Sequence, residues 1–102
     1  MSVFKESVVA VNPKNEEVCT EPIDALVDTG SELTWLPEEM LTGIGITHRR
    51  KRVFMTADGK RLTRSVGYAV LRVGDFETID EVVFAEKGDM TLLGARTVEG
   101  FS

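Results

Sequence analysis

Apolar residues in this chain recur at every second position far more than at every third or fourth, and turn-forming residues break the pattern about every ten residues. That period puts successive side chains on opposite faces of an extended strand, so the chain is expected to be all-β. Strands are predicted near Ser2 to Val11 and Val18 to Val27, joined by a turn through Asn12-Pro13-Lys14-Asn15, with a short one over Leu33 to Leu36. Pro37-Glu38-Glu39-Met40-Leu41 places proline at a first helical position with acids behind it, and Gly43 closes what should be a single helical turn. A hairpin follows, with arms near Arg50 to Thr56 and Arg61 to Val66 and a two-residue Asp58-Gly59 tip. A second hairpin runs from Tyr68 to Val73, through Gly74-Asp75, into Phe76 to Ala85. Met90 to Leu93 reads as a short buried strand and Gly94 to Glu99 as a small helix before Gly100.

The 102 residues carry 12 basic and 17 acidic side chains, and 42% of the chain is apolar, which fits one globular domain over residues 1–102 and excludes two. A core of this size buries roughly 65% of the unfolded surface, so a second subunit would add usefully to stability. No apolar run approaches the ~20 residues of a membrane helix. Ser2 to Pro13 alternates and lacks the basic and unbroken apolar regions of a signal peptide, so it is expected to stay on the protein, and the location to be cytoplasmic. The single cysteine, Cys19, cannot close an internal disulfide, and one thiol with one histidine cannot build a structural zinc site, so neither metal nor cofactor is expected.

The segment that carries chemistry is Ala25-Leu26-Val27-Asp28-Thr29-Gly30-Ser31, an apolar strand that runs straight into an acid, two hydroxyls and a glycine. An aspartate at the end of a buried strand must be solvated, and the N–H groups and hydroxyls after it can do so. Alone, Asp-Thr-Gly would arise by chance in roughly one such chain in fifty. About sixty residues later, however, Met90-Thr91-Leu92-Leu93-Gly94-Ala95-Arg96 repeats the apolar, apolar, glycine pattern just ahead of a helix.

With a hairpin between them, these two elements resemble the retropepsin-like aspartic proteases over Val18 to about Phe101. The resemblance implies a closed, barrel-like acid-protease fold with one flap hairpin and one short C-terminal helix. It implies Asp28, Thr29 and Gly30 as the catalytic loop, with Thr29 bonding across a two-fold axis and Gly30 admitting the backbone close to the carboxylate. The family's chemistry needs two carboxylates sharing one proton, and no second Asp-Thr-Gly or Asp-Ser-Gly exists here. A homodimer would supply the second from the partner, since a two-fold interface sets a residue on the axis against its own copy. A polypeptide is the implied substrate. In retroviral relatives a strand after the last helix joins the intersubunit sheet; here either the N-terminal strand or residues beyond this sequence would fill that role.

Ser31 is expected to donate to the Asp28 carboxylate and pull the pH optimum down relative to an alanine variant. The flap is expected over Val53 to Val66, with Thr56, Ala57, Asp58 and Gly59 at its substrate-facing tip; that tip is polar where retroviral tips are apolar and glycine-rich. Trp35, Leu36 and Val66 are candidates to line apolar subsites, with core packing as the competing reading. His48 to Arg64 holds seven of the twelve basic residues and one acid, so this stretch is +6 and the remainder -11. No aromatic residue interrupts Arg49-Arg50-Lys51-Arg52, which argues against stacking on nucleic-acid bases. The expected function is an aspartic endopeptidase; the alternative is the same fold kept as a catalytically inactive protein-interaction module.

Overall fold

The computed structural model describes residues 4–101. Strand β1 is Lys5–Asn12, β2 Asn15–Cys19, β3 Ile23–Val27 and β4 Thr34–Pro37; helix α1 is Glu38–Gly43. Strands β5 (Arg50–Met55), β6 (Arg61–Val73), β7 (Phe76–Ala85) and β8 (Leu92–Leu93) follow, then helix α2 (Ala95–Gly100). The strands form one mixed sheet in the order β2-β1-β3-β8-β4-β7-β6-β5. Strand β1 divides its length between neighbours: Lys5 to Val8 pair with β3, and Val9 to Val11 pair with β6. That second pairing bends the sheet back on itself into a partial ring, with β2 and β5 as its free ends.

Alternation along β6 and β7 sorts side chains into two apolar clusters. Ala69, Leu71, Val82 and Phe84 join Val8, Ala25, Leu36, Leu41 and Leu93 in the larger one. Val66 and Val83 join Leu33, Trp35 and Ala85 in the smaller, against which Phe54, Leu62 and Leu92 pack. The smaller cluster underlies the β5–β6 hairpin and ties it to the body.

Several sequence expectations shift. The stretch Val18 to Val27 is broken at Thr20-Glu21-Pro22 into β2 and β3, because Pro22 has no N–H to continue a ladder. The two predicted strands Arg61 to Val66 and Tyr68 to Val73 are one 13-residue strand. Gly67, between the two, does not interrupt it and is buried mid-strand where a side chain cannot fit: a Cβ there would lie 2.7 Å from the Thr47 carbonyl and 3.0 Å from the Phe84 ring. Pro37 ends β4 and caps α1 instead of occupying its first turn. The Asp58-Gly59 tip is a three-residue loop, since Thr56 N donates to Lys60 O at 2.9 Å and only Gly59 has positive φ. The strand expected over Met90 to Leu93 is confined to Leu92–Leu93. The expected start of the first strand at Ser2 lies outside the described residues.

Substituting Gly67→Ala should therefore destabilise the fold by about 1–3 kcal/mol, read as a lower urea midpoint with an unchanged slope.

Candidate active site

Asp28 follows directly on β3, and three backbone bonds fix where it stands. Its own N–H donates to Leu93 O at 3.0 Å, Leu26 N donates to Thr91 O at 3.1 Å, and Val27 N donates to Phe4 O at 2.8 Å. The two-residue strand β8 thus lies between β3, which leads into the acidic loop, and β4, which leads out of it. The loop itself is a turn in which Ser31 N donates to Asp28 O at 3.1 Å. Gly30 N donates to Asp28 Oδ1 at 2.9 Å, supplying the solvation that a carboxylate at a strand end requires. A Cβ on Gly30 would sit 3.1 Å from that same oxygen, so glycine here keeps the carboxylate uncrowded.

Helix α2 braces the loop from behind. Ala95 N and Arg96 N donate to the carbonyls of Ser31 and Glu32, at 2.8 and 3.0 Å. Gly94 lets the helix approach this closely: a Cβ there would fall 2.4 Å from the Leu33 carbonyl carbon and oxygen. Beneath runs a buried polar chain. Gly94 N donates to Thr34 Oγ1 at 2.9 Å, Thr34 and Thr97 hydroxyls lie 2.6 Å apart, and Thr97 donates to Asp80 Oδ2 at 2.9 Å. Since the carboxylate only accepts and each hydroxyl has one proton, Thr34 must donate to Thr97.

Above Asp28 the β5–β6 hairpin overhangs a cleft of about 570 Å³. Asp28, Gly30, Ser31 and Glu32 form its floor, Trp35 and Leu92 one apolar wall, and Phe54 and Leu62 the underside of the hairpin, with Met55, Thr56 and Ala57 at its rim and tip. The Trp35 and Phe54 rings meet edge to face at 5.1 Å. On the remaining side stand Met90 and Asp89, the latter bonded by both oxygens to Arg64 of β6 at 2.7 and 2.9 Å. This pair is largely shielded, with the side chains 15% and 11% exposed, and it straps the hairpin to the loop that leads into β8. The Arg64 guanidinium holds the Asp89 carboxyl below the usual carboxylate range.

Of the residues expected from sequence, Asp28, Gly30, Ser31, Trp35, Thr56 and Ala57 line this cleft, whereas Thr29, Asp58 and Gly59 do not. Asp58 instead receives the Thr56 hydroxyl within the tip. Leu36 and Val66 are fully buried in the two apolar clusters, so their core reading prevails over the subsite reading. The Ser31 expectation is corrected: its hydroxyl donates to Leu33 O at 2.8 Å, not to the carboxylate. Phe54 and Leu62 were missed, although their position directly across the hairpin from each other, one residue from the ends of β5 and β6, was a legible signal. Among the described residues no group of three His, Cys, Asp or Glu could hold a metal ion, and no helix is long and apolar enough to cross a membrane.

Residues 16–99 match the family model described as "gag-polyprotein putative aspartyl protease". The chain belongs to that family. The match spans the acidic loop, the hairpin over it and the β8–α2 brace, which are the parts that build the cleft. Among solved structures, the chain is similar to a foamy viral protease-reverse transcriptase determined in complex with double-stranded DNA, with a TM-score of 0.62 and 18% identity over 94% of this chain. At that identity the likeness concerns the fold, which is retropepsin-like; the chain spans 15% of the viral protein's length. No curated protein matches.

Two expectations follow for this chain. Ser31→Ala should leave the pH profile of any activity in place and lower stability by about 1 kcal/mol, because the lost bond goes to a backbone carbonyl. For Asp89→Asn the sign follows from the lowered carboxyl: the stability Asp89 adds is present above its unfolded pKa and lost as pH falls through its folded one. Unfolding free energies of wild type and variant, from urea titrations, should therefore differ by about 1–2 kcal/mol at neutral pH and converge in acid.

Proposed function

We propose that this protein is an aspartic endopeptidase whose active site forms when two copies associate about a two-fold axis and bring their Asp28 carboxylates together. The observation that carries the reading is the placement of Asp28: exposed at the floor of a cleft, yet fixed by backbone bonds on both sides and roofed by a hairpin. Family membership supports the chemistry.

Two carboxylates ~3 Å apart would repel by about 5 kcal/mol at an effective dielectric near 20, so the pair retains one proton over a broad pH range. In that form the ionised group takes a proton from water as its oxygen attacks the scissile carbonyl carbon. The protonated group gives its proton to the carbonyl oxygen, which yields a neutral tetrahedral diol. Collapse of the diol breaks the C–N bond, with one hydroxyl proton returning to a carboxylate and the amine leaving protonated. No covalent enzyme intermediate is involved. The hairpin would close over an extended substrate and exclude water, with Phe54, Leu62, Trp35 and Leu92 offering apolar surface beneath it.

The test pairs sedimentation with proteolysis of an unstructured protein across acid to neutral pH. Wild type should cleave, with specific activity rising as the dimer forms and a pepstatin-type inhibitor blocking it. Asp28→Asn should fold and lose at least about a thousandfold in rate. A folded wild type that forms dimers and cleaves nothing at any pH would favour the inactive interaction module.

A further inference from the structure

The β5 strand at the free end of the sheet carries features that catalysis does not use. It pairs with β6 in unbroken register from Arg50↔Val66 to Met55↔Arg61 and, among the described residues, has no strand on its other side. Thr56 N donates to Lys60 O, which makes Thr56 an inward-bonding position; alternation then makes Phe54, Arg52 and Arg50 inward as well. The N–H and C=O groups of Lys51, Val53 and Met55 consequently point away from β6, toward solvent.

Side chains divide along the same lines. The inner face of the hairpin is occupied: Arg50 and Arg52 both bond the Glu81 carboxylate, at 3.0 and 2.9 Å, and Phe54 meets Trp35. The outer face is not. Val53 is 57% exposed and Met55, which also borders the rim of the cleft, 64%, and Lys51 and the cross-strand Arg61 have no ion-pair partner among the described residues. Most natural edge strands are interrupted by proline or a bulge or covered by another element; over Lys51 to Met55 this one has neither interruption nor cover.

We propose that the outer edge of β5 is a docking site for an extended, acidic polypeptide segment, which adds to the sheet as a further strand. The backbone of Lys51, Val53 and Met55 supplies the ladder, Val53 and Met55 supply apolar contact, and Lys51 and Arg61 select acidic side chains. Charge decides the occupant. The stretch 48–64 is +6 on a body of -11, so an acidic segment is drawn to this ribbon and repelled elsewhere. A second copy offering its own β5 would bring a second ribbon of the same positive charge, with its own Lys51 and Arg61, to the seam, which disfavours self-pairing. Docking here needs neither Asp28 nor a dimeric site, so it stands apart from the proteolytic reading.

The experiment uses full-length Asp28→Asn protein, so that no probe is cut, and a fluorescein-labelled ten-residue peptide of alternating glutamate and valine followed by anisotropy. Saturable binding is expected, weakening about five- to tenfold between 50 and 300 mM salt. The same peptide with lysine for glutamate should not bind. Val53→Pro removes one outward N–H without touching the β5–β6 ladder, and should weaken binding at least about fivefold while the thermal midpoint stays put. Should that variant unfold, the double variant Lys51→Glu with Arg61→Glu, both on the solvent face, is expected to abolish acidic-peptide binding. Equal affinity for the two peptides overturns the proposal. So does undiminished binding to folded Val53→Pro, which would place the peptide in the cleft. Concentration-dependent self-association abolished by Val53→Pro would assign the edge to a second copy instead and likewise overturns it.

Discussion

Everything at the cleft depends on one backbone bond, from Asp28 N to Leu93 O, and on the two-residue strand that provides its acceptor. A strand of two residues has no stability of its own. It persists because β3 and β4 grip it from either side and because α2 follows at once, with Gly94 pressed against the Leu33 carbonyl. The acidic loop is thus fixed by a segment more than sixty residues away in sequence. This arrangement explains why the apolar, apolar, glycine pattern accompanies Asp-Thr-Gly: the first two residues fill the gap, and the third allows the helix behind it to come close enough to bond the loop carbonyls.

The polar chain under this junction works in the same direction. Thr34, Thr97 and Asp80 lie among apolar side chains, where an unpaired hydroxyl or carboxylate would be costly. Each is satisfied, and the two hydroxyls have their protons assigned in one order only. Such a chain is less a source of net stability than a restriction on alternatives, since slipping α2 by one residue would strand all of it. The Arg64–Asp89 strap does for the roof of the cleft what this chain does for its floor.

Much of this was legible in the sequence because the physics was local. The alternation that marks β1, β5 and β7, the glycine of the Gly74 turn, and an acid stationed at the end of an apolar strand are each written within ten residues. What escaped was set by distant groups. Gly67 looks like a break until Thr47 and Phe84 crowd it from across the fold; then the lack of a side chain is what keeps the strand continuous. Ser31 has a carboxylate nearby in sequence, but the Leu33 carbonyl takes its hydroxyl. Leu36 and Val66 were indistinguishable from subsite residues by composition, since a core and an apolar cleft call for the same side chains, and only tertiary packing separates them, Leu36 in the cluster with Val8 and Ala10 and Val66 in that with Leu33 and Val83.

The length of β6 has a mechanical consequence. From Val66 to Val73 it is clamped in the ring wall by β7, with β1 gripping Val70 to Arg72; from Arg61 to Val66 it projects with only β5 beside it. It is a cantilever, and deflection grows with distance from the clamp. Ala57, Asp58 and Gly59 at the far end lie beyond the Arg64–Asp89 strap and the Trp35–Phe54 contact, so compliance in the cover over the acid is confined to this outer turn and does not reach the masonry that holds the acid in place.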